Sequence, residues 1–141
     1  MSQSSRPPAP FLDAVNSTLL VADGAMGSLL YERGVFVTQC FEQLNVTRGD
    51  LVSKIHAEYL DAGAQIVQTN TFGANRFRLE RFGLVGEVQR FNAAGARLVR
   101  EVVGDKAYVA GSIGPTGIVP GAERAQELAE AMATFAERAE A

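Results

Sequence analysis

The sequence predicts an α/β fold built on a parallel sheet, because short apolar segments alternate with helical patterns. The apolar segments lie at residues 18–22, 64–69 and 107–113, and each ends in a small polar motif. Strands that are covered by helices on both faces are apolar throughout. Alternation of strands and helices favours parallel pairing with right-handed crossovers. The residues just past the C-terminal ends of such strands are the ones that face a ligand.

The N-terminal part is expected to be a disordered leader at residues 1–10, followed by one domain portion at 11–141 that begins with a short helix at 11–15. The long connection after the first strand carries a predicted helical turn at 28–32. The next helix is predicted to begin at Thr47, with Asp50 three residues later at capping-box spacing. Its predicted end is Gly63, since glycine tolerates the left-handed conformation at a helix end.

A second amphipathic pattern predicts a helix that ends at Gly104. Its apolar positions recur at intervals of three and four residues. They are Leu84, Val88, Phe91, Gly95, Leu98 and Val102. A last helix is predicted from Glu123, and no fourth strand follows it.

The composition excludes several classes of protein. The chain has 141 residues, 47% of them apolar, and a net charge of −3. No basic patch indicates nucleic acid as a partner, and no apolar run is long enough to span a membrane. The single cysteine, Cys40, cannot form an internal disulfide, which favours a reducing, cytoplasmic compartment.

The first polar motif begins with Asp23 at the end of the first strand. A carboxylate fixed there can accept hydrogen bonds from an ammonium group. Gly24 lets the backbone of Ala25 and Met26 approach a ligand closely, so that the amides of this loop can hold a carboxylate. The motif therefore indicates a clamp for an α-amino acid, although an aspartate at this position can also simply cap a turn.

The second and third motifs place Asn70 and Ser112 after the later strands. Asn70 offers both a donor and an acceptor, which suits a substrate-orienting role. The glycine-rich segment around Ser112 lacks the lysine of a nucleotide-binding loop. Both motifs are also compatible with ordinary strand-to-helix turns. His56 lies on a helix and is interpreted as a packing or surface residue, and Cys40 as an inert thiol rather than a nucleophile or metal ligand.

The motifs together resemble the N-terminal homocysteine-binding domain of the homocysteine S-methyltransferases, including cobalamin-dependent methionine synthase. Two stretches in the long connection look most like bacterial proteins that fuse this domain to a methylenetetrahydrofolate reductase. The motifs, in order, are DGAMG at 23–27, YERG at 31–34, LNVT at 44–47, HAEYLDAGA at 56–64, TNTFGANR at 69–76 and VAGSIGP at 109–115.

The resemblance implies a (β/α)8 TIM barrel, of which this chain would hold about the first three strand–helix units. It implies transfer of a methyl group to the homocysteine thiolate, which gives methionine. In the family, three cysteines from late strands bind the zinc that activates the sulfur, and Cys40 matches none of them. The fragment is therefore expected neither to bind zinc nor to be active alone, and its catalytic residues stay unknown.

The resemblance also assigns substrate-binding positions and partners. Asp23 matches the ammonium acceptor, Gly24, Ala25 and Met26 match the loop that cradles the carboxylate, and Asn70 and Ser112 match pocket positions. Expected partners are homocysteine, the missing C-terminal barrel half, and reductase, folate or cobalamin domains. Gln68 departs from the pattern, because the family often has a glutamate there.

Two other functions stay open at this point. The chain could be a non-catalytic interaction module that pairs with a separate C-terminal half or with itself. It could also belong to another barrel class, such as an aldolase, which needs a lysine on a strand. The two lysines, Lys54 and Lys106, do not lie at a predicted C-terminal strand end.

Overall fold

The computed structural model describes residues 9–117 together with Ala129 and Ala133. The predicted leader at 1–10 is covered only at its last two residues. The predicted last helix, from Glu123, lies outside the described residues except for Ala129 and Ala133, which are both helical. The part described here is mixed α/β, as predicted.

The elements follow one another in an order that alternates helices with strands. The helices are α1 (Phe11–Ser17), α2 (Met26–Glu32), α3 (Leu44–Thr47), α4 (Gly49–Asp61), α5 (Arg76–Glu80) and α6 (Val88–Val103), with a 3-10 turn at Val85–Glu87. The strands are β1 (Ile66–Gln68) and β2 (Tyr108–Ala110). No described helix is long and apolar enough to cross a membrane.

The two strands pair in parallel, and a third segment joins them through a single bridge. In β1 and β2, Val67 lies opposite Val109. On the other side of β1, Ala22 bridges to Ile66 in the parallel sense. The Asp23 amide donates to the Ile66 carbonyl oxygen at 2.9 Å. The chain segments that precede the three polar motifs therefore run side by side in the same direction.

The prediction of a buried first strand at 18–22 is wrong for the described structure. Ala22 is the only residue of this segment in a β-bridge, and the hydrogen bonds of that bridge come from its neighbours Val21 and Asp23. Leu19 is 85% exposed and Val21 is 50% exposed, so this segment is not covered on both faces. Among the described residues, this segment has β1 as a neighbour on one side and no strand on the other. A segment with one neighbouring strand forms only half of the usual ladder hydrogen bonds.

Helix α4 begins without the predicted capping box. Thr47 is the last residue of α3, and its hydroxyl donates to the Gln43 carbonyl oxygen at 3.1 Å. Arg48 occupies the position before α4 and makes no side-chain capping bond. Because α3 runs almost directly into α4, the threonine hydroxyl already has a partner in its own helix. The predicted C-terminal end of the helix is confirmed, since Gly63 follows it with φ +103°.

Helix α6 packs against α4 and the strands, and the predicted apolar stripe is confirmed only in its first half. Leu84 lies before the helix, and Leu98 and Val102 are half-buried, whereas their neighbours Val99 and Val103 are fully buried. Val88 and Phe91 are buried in one cluster, while Val99 and Val103 are buried with Val67 of β1 in another. The predicted end is confirmed, because Gly104 follows the helix with φ +50°. This packing fixes the sheet against the helical layer.

The predicted N-terminal helix is confirmed and runs two residues beyond its expected end. Its Phe11 ring meets the Tyr108 ring edge-on, with centroids 5.3 Å apart. The Tyr108 hydroxyl also donates to the Ala9 carbonyl oxygen at 2.5 Å. Since Tyr108 is the first residue of β2, α1 lies at the N-terminal ends of the strands, away from the polar motifs.

Gly95 lets α6 approach the loop that follows β1. A Cβ atom at this position would lie 2.7 Å from Cγ2 of Thr71 and 2.8 Å from Nδ2 of Asn45. Both side chains are buried and hydrogen-bonded, so neither can move aside freely. The absence of a side chain at Gly95 is therefore a packing requirement.

We expect Gly95→Ala to lower the free energy of unfolding by about 1–3 kcal/mol, the usual cost of an overpacked core. Alanine is the better helix former by about 1 kcal/mol, so a purely local effect would have the opposite sign. Urea unfolding measures the difference. Gly86→Ala is the control, because nothing lies within 4 Å of its added Cβ. A Gly95→Ala variant as stable as the wild type would contradict this packing account.

His56 is fully buried in α4, and neither ring nitrogen has a hydrogen-bond partner among the residues described. Burial lowers the pKa of His56 to about 4, because the charged imidazolium loses its solvation. Of the two predicted alternatives, a packing or a surface residue, the structure shows packing. The protein must therefore bury His56 in the neutral form.

Acid should therefore destabilise the protein through His56. The unfolded chain binds a proton near pH 6.5, and the folded chain does so only near pH 4. The stability is complete above pH 6.5, and linkage predicts a loss of about 2 kcal/mol between pH 7.5 and pH 5. Urea unfolding at both pH values, compared with His56→Leu, isolates this contribution. His56 is the only histidine, so its ring signals in an NMR titration are unambiguous. A titration midpoint near pH 6.5 in the folded protein would contradict this explanation.

Candidate functional site

One cavity of about 590 Å³ lies where the three parallel segments end. All six residues predicted to bind substrate line it. They are Asp23, Gly24, Ala25, Met26, Asn70 and Ser112. The parallel direction of the segments explains this convergence, because equivalent ends of parallel strands meet at one edge of a sheet.

Asp23 is clamped by a single residue, Gln68, at the end of β1. The Gln68 backbone amide donates to Oδ2 of Asp23 at 2.9 Å, and its side-chain Nε2 donates to Oδ1 at 3.2 Å. Burial raises the pKa of Asp23 above its usual value, while these two hydrogen bonds oppose the rise. Gln68 thus orients the carboxylate through both oxygens without adding a charge.

The loop after Asp23 is held in place by Tyr59 of α4. The Tyr59 hydroxyl donates to the Ala25 carbonyl oxygen at 3.1 Å. A Cβ atom on Gly24 would lie 2.9 Å from the same hydroxyl, so a side chain at this position would displace the Tyr59 ring. The backbone amides of Gly24, Ala25 and Met26 donate to no acceptor within the described part of the chain. These amides are available to a ligand in the cavity.

Asn70 is already used as a structural donor. Its Nδ2 donates to the Phe41 carbonyl oxygen at 2.8 Å and to Oδ1 of Asn45 at 3.0 Å. Asn45 in turn donates to the carbonyl oxygens of Asn70 and Phe91. Both amide protons of Asn70 are thereby occupied, so the expectation that it offers a donor to a substrate is wrong. Its side-chain carbonyl oxygen keeps acceptor capacity.

A ring of hydrogen bonds positions Ser112. The Ser112 amide donates to Oγ1 of Thr69 at 2.9 Å, and the Thr71 hydroxyl donates to the Ser112 carbonyl oxygen at 2.8 Å. The two threonine oxygens are 2.6 Å apart. Since the Thr71 proton goes to Ser112, Thr69 is the donor between the two hydroxyls. The loops after β1 and β2 are locked together by this ring.

Sequence reasoning missed several residues that shape the cavity. Gln68 and Tyr59 position the Asp23 loop, and Asn45 fixes Asn70. Glu42, which also lines the cavity, accepts a hydrogen bond from the Gly73 amide at 2.7 Å. The signal available in the sequence was the run of polar residues at 68–71, since such groups need partners when they lie near a core.

The described residues do not fit a zinc site. No three of the His, Cys, Asp and Glu side chains among them are grouped as metal ligands. Cys40 is buried, and burial raises the pKa of its thiol to about 11. Its Sγ lies 3.5 Å from Oε2 of Glu42. A thiol with this pKa is protonated at neutral pH, and metal binding needs the thiolate.

A model of the family described as homocysteine S-methyltransferase matches residues 20–141. The chain belongs to this family. Methionine synthase from Mycobacterium tuberculosis (strain ATCC 25618 / H37Rv) is 34% identical over 121 residues, and methionine synthase from Mycobacterium leprae (strain TN) is 33% identical over the same length. Each alignment covers 77% of this chain but only 10% of the relative.

Solved structures of the homocysteine methyltransferase MmuM from Escherichia coli share the fold. The metallated form has a TM-score of 0.63 and 25% sequence identity, over 73% of this chain and 40% of that one. The oxidized form has a TM-score of 0.66 at 24% identity, over 78% of this chain and 42% of the other. The family resemblance seen in the motifs is confirmed, and the chain spans less than half of these homologous structures.

Replacement of Gln68 should raise the pKa of Asp23. Gln68→Met removes the side-chain hydrogen bond to Oδ1 and keeps the backbone bond, so the carboxylate loses one of the interactions that lower its pKa. Carbon-13 NMR titration of the aspartate carboxyl groups measures the change. Gln39→Met is the matched control, because Gln39 lines the same cavity and makes no bond to Asp23. An unchanged or lowered Asp23 pKa in Gln68→Met would show that the clamp has no electrostatic effect.

Proposed function

We propose that this chain forms part of a (β/α)8-barrel homocysteine S-methyltransferase and contributes the wall that binds the amino-acid end of homocysteine. One observation carries this proposal. The residue with the oriented carboxylate, Asp23, and the next three residues, whose amides have no acceptor within the described part of the chain, line the same cavity. An α-amino acid carries an ammonium group and a carboxylate on one carbon, and this pair of complementary groups suits it.

Asp23 would accept hydrogen bonds from the substrate ammonium. Gln68 uses one acceptor site on each carboxylate oxygen, and a carboxylate offers about four such sites. Because Gln68 is neutral, the negative charge stays available to a cation. Charge-assisted hydrogen bonds of this kind are the stronger ones in proteins. Binding of an ammonium group would also favour the ionised form of Asp23 against the effect of burial.

The amides of Gly24, Ala25 and Met26 would hold the substrate carboxylate. Successive backbone amides that point into one concavity bind anions. Tyr59 fixes this loop from behind through the Ala25 carbonyl oxygen, so the amides need little rearrangement on binding. Asn70, through its side-chain oxygen, and Ser112 complete the proposed contacts farther along the rim.

Activation of the homocysteine sulfur is proposed to depend on residues outside the described part of the chain. Zinc would lower the pKa of the substrate thiol and so supply the thiolate nucleophile. Cys40 does not suit this task, because it is buried and its own pKa is raised. Domains that deliver the methyl group, through cobalamin or folate, are likewise proposed partners rather than features of this structure.

The exposed apolar side chains of the segment at 18–22 support the proposal that further elements pack there. Leu19 and Val21 are exposed beside a strand edge that has no partner among the described residues. Apolar side chains at an unpaired edge favour pairing with another segment. We propose that the remaining part of the barrel occupies this edge, either within one polypeptide or as a separate chain.

Asp23→Asn should weaken the binding of L-homocysteine by roughly tenfold or more, because the ammonium loses a charged acceptor. Isothermal titration calorimetry with L-homocysteine measures the dissociation constant at pH 7.5. Asp61→Asn removes an exposed carboxylate from the end of α4, away from the cavity, and should bind as the wild type does.

If Asp23→Asn and Asp61→Asn bind homocysteine with the same affinity as the wild type, Asp23 is not the ammonium acceptor. If the wild-type protein does not bind homocysteine, the proposed function of this cavity is wrong. Unfolding curves of both variants show whether a loss of binding comes from a loss of folded protein.

A further inference from the structure

Two arginines line the same cavity. Arg78 lies in α5, and Arg81 follows that helix directly. Among the described residues, neither guanidinium forms an ion pair with a carboxylate. Both guanidinium groups therefore carry a positive charge without a direct ion pair, in a cavity that the Asp23 and Glu42 carboxylates also line. The amino-acid proposal assigns no contact to either arginine.

Arg78 is held in a fixed orientation by the rim of the cavity. Its Nε donates to the Pro115 carbonyl oxygen at 3.0 Å. Its guanidinium carbon lies 5.5 Å from the centroid of the Phe72 ring. One nitrogen is thus bound to the loop after β2, and the cation lies over an aromatic ring. The two terminal nitrogens donate to no acceptor in the described structure.

The aromatic ring under Arg78 is itself fixed. The Gly114 amide donates to the Phe72 carbonyl oxygen at 3.1 Å. A Cβ atom on Gly114 would lie 2.6 Å from Cδ2 of Phe72, so the ring is pressed against the glycine. Phe72 is nevertheless 51% exposed. A guanidinium that is oriented in advance loses less entropy when it binds a planar anion.

The two carboxylates of the cavity accept hydrogen bonds from groups other than the arginines. The Asp23 carboxylate accepts a hydrogen bond from the Gln68 backbone amide and another from its side-chain Nε2. Glu42 accepts hydrogen bonds from the Gly73 amide and from the Cys40 thiol. Neither carboxylate lies within ion-pair distance of Arg78 or Arg81. The two carboxylates balance the two guanidinium charges over the cavity as a whole. An anion is therefore favoured only beside the arginines, where it can accept direct charge-assisted hydrogen bonds.

We propose that Arg78, assisted by Arg81, forms an anion-binding subsite for a carboxylate or phosphate group. The subsite is separate from the amides of Gly24, Ala25 and Met26. The bound anion could belong to the methyl donor or to the amino acid itself, and only the choice between these sources rests on the proposed function. A planar fork with two unoccupied terminal nitrogens matches the two oxygens that either anion presents.

An NMR titration tests the subsite directly. Inorganic phosphate and, separately, glutarate are added to the nitrogen-15-labelled protein at constant ionic strength, and the arginine Nε signals are followed. We expect a saturable shift of the Arg78 signal. Arg78→Met should weaken the binding of both probes by about fivefold to tenfold. Arg78→Lys keeps the charge but loses the planar fork, so its affinity should be intermediate.

Arg97→Met is the matched control, because Arg97 is exposed on α6 and does not line this cavity. It should bind both probes as the wild type does. The anions bind non-specifically, and the subsite does not exist, in either of two cases. In the first, Arg78→Met binds both probes as tightly as the wild type does. In the second, Arg97→Met weakens the binding of the probes as much as Arg78→Met does. The amide spectra of each variant show whether it is folded.

A second titration, in saturating L-homocysteine, identifies the source of the anion. An unchanged phosphate affinity supports the subsite and assigns it to a second substrate, the methyl donor. Competition between phosphate and homocysteine also supports the subsite, but assigns it to the carboxylate of the amino acid. If homocysteine does not bind at all, the proposed function fails while the phosphate result still decides the subsite.

Discussion

The parallel pairing of β1 with its two neighbours is the constraint on which the site depends. The bridge from Ala22 to Ile66 and the register of β1 with β2 bring three chain segments to a common end. Asp23, Asn70 and Ser112 are far apart in the sequence and line one cavity only because those segments run in the same direction. An antiparallel arrangement would send one of these motifs to the opposite edge of the sheet.

A second layer of interactions converts this proximity into a defined geometry. Hydroxyl and amide groups between the loops satisfy one another, as in the ring that joins Thr69, Thr71 and Ser112. Gly95 allows α6 to press against this layer. Buried polar groups that are fully hydrogen-bonded make a rigid support, whereas a partly satisfied set would be costly. Because these hydrogen bonds use most of the donors in the loops, few polar groups remain available to a ligand in the cavity.

The sequence was sufficient to predict the parts that follow from local patterns. Helix α6, its end at Gly104 and the end of α4 at Gly63 follow from apolar periodicity and from the conformational freedom of glycine. The convergence of Asp23 and Ser112 followed from the rule for parallel strands. The exposure of residues 18–22 could not be predicted, because the burial of a segment at the edge of a sheet depends on neighbouring elements and not on its own apolar pattern.

The details of the site depended on contacts between distant segments. Asn70 looked like a substrate donor because its side chain offers two protons, but Asn45 and the Phe41 carbonyl oxygen take both. The neutral Gln68 looked like the loss of a functional charge, yet it is the residue that orients Asp23. Only the three-dimensional pairing decides whether such polar groups serve the scaffold or a ligand.

A crystal structure of the protein with L-homocysteine bound at pH 7.5 tests the central claim most directly. We expect the ammonium nitrogen within hydrogen-bond distance, about 3 Å, of the Asp23 carboxylate. We expect the substrate carboxylate either against the amides of Gly24, Ala25 and Met26 or in the arginine subsite. An amino acid that is bound outside this cavity, or with its sulfur rather than its ammonium at Asp23, would contradict this claim.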